Sequence, residues 1–398
     1  MSICKIYLKP KKEESLLRFH PWVFSGAIAS KEYEPAEGEL VNVYAANGNF
    51  LGVGHYQIGS ISVRILSFEP TAIDDAFWTE RTQAAYDLRL ALGLTGEHAT
   101  NNNTYRLVHG EGDHLPGLVV DIYGITAVIQ AHSVGMHKDR MAIANAIRTV
   151  LGDTIKNIYY KSDSTLPFKA GLANEDGYLF GTADKEDFAA MENGLRFNVD
   201  WVKGQKTGFF VDQRDNRALL EKYSKDRSVL NMFCYTGGFS IYAMRGGAKL
   251  VHSVDSSAKA IMLTNQNIEL NFPDDARHKA FAEDAFKFLE QADNLYDLIV
   301  LDPPAFAKHR NVLRNALQGY RKLNAIAFER IHPGGILFTF SCSQVVSKED
   351  FRLAVFSAAA QSKRKVRILH QLTQPADHPI NIYHPEGEYL KGLVLYIE

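Results

Sequence analysis

"VLNMFCYTGGFS", residues 229–240, decides how this chain folds. Its first half is an apolar run with the length of a buried strand, and Gly237 and Gly238 stand where the backbone must turn before a helix begins. Strand, glycine turn and helix together open a doubly wound α/β sheet. Downstream, "KLVHSVD" (249–255), "HKAFAED" (278–284), "YDLIVLD" (296–302) and "GILFTFSC" (335–342) repeat the theme with helical segments between them. That alternation predicts right-handed βα crossovers. The last two apolar runs, "VRILHQL" (366–372) and "GLVLYIE" (392–398), lack a helix between them, so an antiparallel hairpin at the sheet edge is expected.

Upstream, "LRFNVDWVKGQKTGFFVD" (195–212) reads as a hairpin that leads into the helix "QRDNRALLEKYS" (213–224). Residues 105–185 mix strands ("GLVVDIYG", "TAVIQAH") with a helix ("KDRMAIANAIRTVL"), the texture of a compact α+β segment. Before it, "DDAFWTERTQAAYDLRLAL" (74–92) has helical periodicity with Asp74 as its N-cap. Residues 1–72 carry short β-type runs, and Asn47-Gly48 between alternating apolar runs signals a hairpin. A small β-barrel is expected there. The reading is thus three domains: 1–72, 73–188 and 189–398, the last an α/β Rossmann-like sheet.

The composition, 46% hydrophobic and 23% charged over 398 residues, is that of a globular protein. The N-terminus "MSICKIYLKPKKEESLLRFH" has charges where a signal peptide needs an apolar core, so a cytoplasmic location is expected. Cys4, Cys234 and Cys342 are far apart, with no spacing suited to zinc, which predicts reduced thiols and no metal. A net charge of −2 gives no general attraction to nucleic acid; any RNA must be held by local patches. Lys5, Lys9, Lys11, Lys12 and Arg18 form one such cluster, diluted by Glu13 and Glu14, and a solvated face explains it equally well.

The glycine turn lacks the GxGxxG pattern, so a dinucleotide is not expected and a smaller nucleoside cofactor is. Asp255 ends the second strand at a spacing from Asn231 suited to an acceptor for ribose hydroxyls. Asp284, past the third strand, can accept from an adenine amino group, and Asp302 in "DPPAF" stands at the mouth of the fourth. Any single aspartate at such a turn could simply be a helix N-cap. Four successive strands ending in this way, the first in the glycine turn and the next three in aspartates, point to S-adenosylmethionine.

Nine stretches, taken in chain order, resemble the PUA-containing class I RNA methyltransferases, and among them the bacterial enzymes that form 5-methylcytosine in 23S rRNA. They are "HPWVFSGA", "YRLVHGEGDHLPGLVVD", "GQKTGFFVDQRDNR", "VLNMFCYTGGF", "VDSS", "QNIELN", "DLIVLDPPAF", "GGILFTFSCS" and "ADHPINIYHPEGEYLKG". The resemblance implies a PUA-like RNA-binding domain over 1–72 and a catalytic domain over 189–398. It places the cofactor against Gln213, Arg214, Asn231, Phe233, Tyr235, Thr236, Gly237, Asp255, Ser256, Asp284 and Asp302. It also implies RNA as partner, as 23S rRNA or a large-subunit assembly intermediate, with no membrane and with room for a homodimer. Lys206, Thr207 and Gly208 belong to a segment that closes over the cofactor's methionine end in the family, while Phe209 and Phe210 fit packing as well. Asp377, His378 and Glu388 could line the entrance for the base, or simply stabilise a turn. The family usually has lysine after the two prolines; here Ala305 stands in its place.

Carbon 5 of cytosine is too weak a nucleophile to take a methyl group directly. A thiolate adding to carbon 6 converts the ring into an enamine whose carbon 5 can attack, and a base then removes the carbon 5 proton as the thiolate leaves. Cys342, just past the fifth strand, is the candidate nucleophile, and Asp302 the group that binds the cytosine edge. A buried cysteine is also an ordinary core residue. Cys234, in the cofactor turn, is read as structural. Two other functions fit part of the pattern. A methyltransferase acting on a purine amine in RNA or DNA would use the same DPP followed by Phe306 and need no cysteine; an RNA-binding assembly factor would need no working cofactor site.

Overall fold

The computed structural model describes residues 3–97, 99–167, 172, 175–184, 188–292, 296–307 and 309–398. The chain divides into two compact units, one of residues 1–193, 199–211 and 376–387, the other of 194–198, 212–375 and 388–398.

In the first unit, strands β1 (Cys4–Leu8), β2 (Trp22–Phe24), β3 (Ile28–Lys31), β4 (Leu40–Tyr44), β5 (Phe50–Tyr56) and β6 (Ile61–Ser67) form one sheet in the order β2-β6-β5-β4-β1-β3. The short helix α1 (Glu14–Leu17) lies between β1 and β2 in sequence. Alternate residues point inward, so Ile6, Val41, Val43, Val63 and Ile65 make the core, with Cys4 among them. The β4–β5 hairpin turns at Asn47-Gly48, where Gly48 takes φ +87°.

Helix α2 (Asp75–Ala91) starts where expected, the Asp74 side chain accepting the Phe77 N–H at 3.0 Å. A second sheet, ordered β11-β10-β9-β8-β7, contains β7 (Thr104–His109), β8 (Leu118–Tyr123), β9 (Thr126–Ala131), β10 (Asn157–Tyr160) and β11 (Gly177–Phe180). Helices α3 (Val134–Lys138) and α4 (Arg140–Leu151) connect β9 to β10. Strand β12 (Ala189–Glu192) belongs to this unit.

The segment expected to open the catalytic domain is shared between the units, and the hairpin expected over 195–212 does not form. Only β13 (Leu195–Asn198) is a strand; residues 199–210 run in turns. Side chains direct this path: Asp200 Oδ1 accepts the Lys203 N–H, Trp201 is buried against Phe188, and Lys206 and Gly208 take positive φ. Alternation in the sequence was real, but local side-chain bonds outcompete a second strand.

The second unit is built on one seven-stranded sheet. It comprises β14 (Ser228–Met232), β15 (Leu250–Asp255), β16 (His278–Ala282), β17 (Tyr296–Leu301), β18 (Ile331–Ser341), β19 (Val366–Leu372) and β20 (Lys391–Ile397), in the order β16-β15-β14-β17-β18-β20-β19. Strands β14 to β18 are parallel; β20 runs antiparallel between β18 and β19. The expected terminal hairpin therefore exists, with β19 alone at the edge. Every residue of central β14 is buried, whereas edge strands β16 and β19 are largely open. Helices α5 (Arg214–Tyr223), α6 (Gly238–Arg245), α7 (Ala258–Asn271), α8 (Ala285–Gln291), α9 (Leu313–Arg330) and α10 (Lys348–Ser362) complete the unit. The order reverses between β14 and β17, so the carboxyl ends of these strands frame a crevice of the kind that binds ligands in open α/β sheets.

Candidate active site

The turn after β14 is held in a demanding shape. Phe233, Tyr235 and Gly237 all take positive φ (59°, 48° and 80°), and a Cβ on Gly237 would meet Thr264 Cγ2 at 2.8 Å. Non-glycine residues seldom tolerate this backbone unless the surroundings enforce it. Here they do: Thr264 Oγ1 donates to Tyr235 O (2.9 Å), Asn267 Nδ2 to Thr236 O (3.1 Å) and Cys234 N to Val254 O (3.0 Å). Cys234 is buried, with its thiol 3.7 Å from Thr264 Oγ1, and burial pushes that thiol up to about 12. It is part of the turn's support.

Asp255 fastens the same turn from the next strand. Its Oδ2 accepts the Tyr235 N–H (3.1 Å) and its Oδ1 the Ser257 N–H (2.9 Å), while Ser257 caps α7. Ser256 lies exposed beside it. Asp284 caps α8, one oxygen accepting the Lys287 N–H at 3.0 Å, and its residue is exposed. Asn231 donates to Ser240 Oγ (2.9 Å), but its Oδ1 is buried without a partner among the described residues. A buried acceptor left open is costly and is where a ligand's donor belongs. The turn without side-chain bulk at Gly237, the two flanking aspartates and this open acceptor suit an adenosine cofactor.

At the ends of β17 and β18 lies a second cluster. Asp302 Oδ1 accepts Gln213 Nε2 (3.1 Å), and Gln213 Oε1 accepts Asn216 Nδ2 (2.7 Å), so the start of α5 is tied to the β17 end. Arg214 is buried there, its Nε 3.6 Å from Asp215 Oδ1. Burial, reinforced by the charge of Asp212, raises the Asp302 carboxyl to about 7. Cys342 is partly exposed, and burial followed by the charges of Asp302 and Asp212 pushes its thiol up to about 12. Cys342, Asp302 and Asp212 thus form one electrostatic group, and the thiol is protonated in the resting protein.

Three members of this cluster escaped the sequence reading. Asp212 accepts the Tyr389 hydroxyl at 2.6 Å through Oδ2, while Oδ1 is buried without a partner among the described residues. Lys391, on β20 opposite Ser341, donates to Ser343 O (2.5 Å) and Val346 O (2.7 Å), pinning the backbone just past Cys342. Burial lowers this ammonium to about 8. All three residues stand inside quoted stretches, "GQKTGFFVDQR" and "EYLKG", but only the fold brings them into this cluster. The lysine usual in the family after the two prolines is absent at Ala305.

Other expected site residues are engaged elsewhere. Thr207 donates to Asp121 Oδ2 at 2.6 Å and lies 2.9 Å from the Tyr123 hydroxyl, a buried network of the first unit. Asp377 accepts the Arg106 N–H (3.0 Å), its carbonyl accepts from Arg89 (2.7 Å), and its other oxygen meets His378 Nδ1 (3.0 Å). Both side chains are fully buried there. The turn-stabilising account is the one these bonds support. Glu388 pairs with Lys348 in the second unit. Phe306 packs against Tyr320 with ring centroids 4.6 Å apart and is half-buried at the edge of the core.

Two family models match the chain, an S-adenosylmethionine-dependent methyltransferase over residues 173–386 and a PUA-like domain over residues 6–68. Ribosomal RNA large subunit methyltransferase I of Aeromonas salmonicida is 41% identical over 98% of each chain, and that of Tolumonas auensis 40% over 98% of each. Among solved structures, a SAM-dependent methyltransferase from Streptococcus mutans superposes with a TM-score of 0.84 at 24% identity, covering 99% of this chain and 100% of its own. A methyltransferase solved in complex with SAH gives the same TM-score and coverage at 25% identity. S-adenosylmethionine is accordingly the cofactor of this protein, and the chain belongs to the ribosomal RNA large subunit methyltransferase I family, S-adenosylmethionine-dependent enzymes with a PUA-like domain at the N-terminus.

Proposed function

We propose that the protein methylates carbon 5 of a cytosine in 23S rRNA through a covalent bond between Cys342 and carbon 6. The observation that carries this reading is the placement of a partly exposed cysteine in one electrostatic group with Asp302 and Asp212. The cofactor supplies a methyl group on a positively charged sulfur. The residues we assign to its binding are Asn231, Asp255 and the 233–237 turn for the nucleoside, with Ser256, Asp284, Gln213 and Arg214 around them.

Asp302 is suited to the cytosine edge because a carboxyl raised to about 7 is partly protonated at neutral pH and can donate to ring nitrogen 3. That hydrogen bond withdraws electrons from carbon 6. Burial is the main cause of the raised Cys342 thiol, and neutralising Asp302 removes one of the two carboxylate charges that add to it, so the same event that prepares the electrophile also favours the thiolate. The thiol gives its proton to a base before the bond to carbon 6 forms, and Asp212, with an oxygen that has no partner among the described residues, carries the second of these charges. Lys391 holds the Ser343 and Val346 carbonyls, which fixes the direction from which the thiol approaches.

The purine-amine alternative asks Phe306, half-buried against Tyr320, to stack on a flipped base, and it leaves Cys342 without a role. Nucleoside mass spectrometry of 23S rRNA from a deletion strain, with and without the gene restored, decides between them. Loss and return of one 5-methylcytidine is expected; a methyl group on a purine amine would refute the proposal. Repeating the assay with naked rRNA and with assembly intermediates identifies the form of the substrate.

A further inference from the structure

A groove of about 550 Å³ runs between α9 and α10, with Arg310, Arg314, Arg321, Leu317, Leu353 and Asp350 along it. Arg314, Leu317 and Arg321 recur at the spacing of one helical face, and Arg310 continues that face into the turn before α9. From Arg314 to Arg321 the helix rises about 10 Å, so the arginines mark a track and not a point. None of the three has an ion pair among the described residues, and Asp350 is the single carboxylate lining the groove. The remaining polar lining residues, Asn311, Gln318 and Ser357, are neutral. Leu353 is 60% exposed, and Phe356, one turn further along α10, is 65% exposed.

Unpaired guanidinium groups beside open apolar side chains fit a polyanion that also carries apolar faces. The position agrees with that occupant. Helix α9 follows the Asp302–Phe306 segment at the end of β17, and α10 follows Cys342 at the end of β18, so both helices set out from the carboxyl end of the sheet, where Asp302 and Cys342 stand. A base that reacts at its ring atoms has to be presented out of its stack, and a single-stranded target presents it at the lowest cost, with its flanking phosphates free to follow a groove. In a chain whose net charge is −2, such a local surplus of positive charge is what a phosphate backbone would find.

We infer that this groove is the track for the single-stranded RNA adjoining the target nucleotide, held by Arg310, Arg314 and Arg321 through its phosphates. The inference rests on the reading of RNA as substrate, and it assigns substrate grip to the methyltransferase sheet in addition to the N-terminal barrel.

The test is the full chain carrying Arg310→Gln, Arg314→Gln and Arg321→Gln together, exposed changes that leave the core untouched. Affinity for a 23S rRNA fragment is measured across a salt series, alongside calorimetry with S-adenosylmethionine and sedimentation for oligomeric state. RNA affinity should fall at least about tenfold at low salt. The slope of log affinity against log salt should shrink by about 2, since each single-strand phosphate contact contributes about 0.7. Cofactor affinity should not change. Wild-type and variant proteins that bind RNA alike, with the same slope, would overturn the inference. So would a variant that alters only self-association, which would make the groove a contact between copies of the chain. Wild-type protein that binds no RNA would instead remove the substrate reading itself.

Discussion

A carboxyl group raised to about 7 inside a site carries a stability cost that can be read as a function of pH. Between about pH 4 and 7, folded Asp302 keeps a proton that the unfolded chain has lost, so stability falls as pH rises through that window and levels off above it. Asp302→Asn should therefore be more stable than wild type at pH 8, by about 1–2 kcal/mol, with the gain gone at pH 4. Thermal melts at the two pH values check this, and an equal gain at both would show that Asp302 is not held protonated. Asp255 makes the complementary case. It holds the Tyr235 N–H of the turn and the Ser257 N–H ahead of α7 besides its expected cofactor role, so Asp255→Ala should weaken S-adenosylmethionine binding by about 1.5–3 kcal/mol in calorimetry. Unchanged affinity would mean that the ribose is held elsewhere.

At the level of elements, the cofactor turn is the strained part, and its strain is legible in the sequence only at the glycines. Gly237→Ala puts a Cβ on Thr264 at a positive φ, so a loss of about 1–3 kcal/mol is expected in urea unfolding, together with weaker cofactor binding. Tolerance of alanine there would show that the turn is softer than its φ values imply. The strands were readable because each is a contiguous apolar run, and Asp74 and Asp284 because a cap bonds locally. The failed hairpin over 195–212 has the opposite cause: its path is set by Asp200, Trp201 and Lys206, whose partners and backbone angles no alternation pattern reveals. Cys342 and Asp302 could be picked out because they end adjacent strands. Asp212, Tyr389 and Lys391 could not, since they reach the same place from the start of α5 and from β20, far apart in sequence.

Across the whole molecule, the residues proposed for cofactor and catalysis all fall in the second unit, while the buried networks around Arg89, Asp121 and His55 belong to the first. His55 is buried and hydrogen-bonded to Asp139 at 2.8 Å, joining the barrel to α4. His55→Ala should cost about 2–3 kcal/mol of stability and leave the calorimetric affinity for S-adenosylmethionine unchanged. A parallel loss of cofactor affinity would mean that the site depends on the barrel. Changes of texture along the sequence lead one to expect three domains at 1–72, 73–188 and 189–398; by compactness the chain divides into two units, with residues 199–211 and, from far along the chain, 376–387 belonging to the first.

The covalent bond between Cys342 and the target base is the claim on which the proposed chemistry stands, and it can be measured directly. Substrate RNA carrying 5-fluorocytidine at the target position is incubated with S-adenosylmethionine and wild-type protein, Cys342→Ala or Cys234→Ala, and adducts that survive denaturing electrophoresis are counted. Fluorine cannot leave as a proton does, so wild type and Cys234→Ala should accumulate a stable protein–RNA adduct. Cys342→Ala should form none, and its activity on ordinary RNA should drop at least about a thousandfold, roughly 4 kcal/mol in barrier height, with cofactor binding retained. An adduct that persists in Cys342→Ala, or full activity of that variant, would contradict the account.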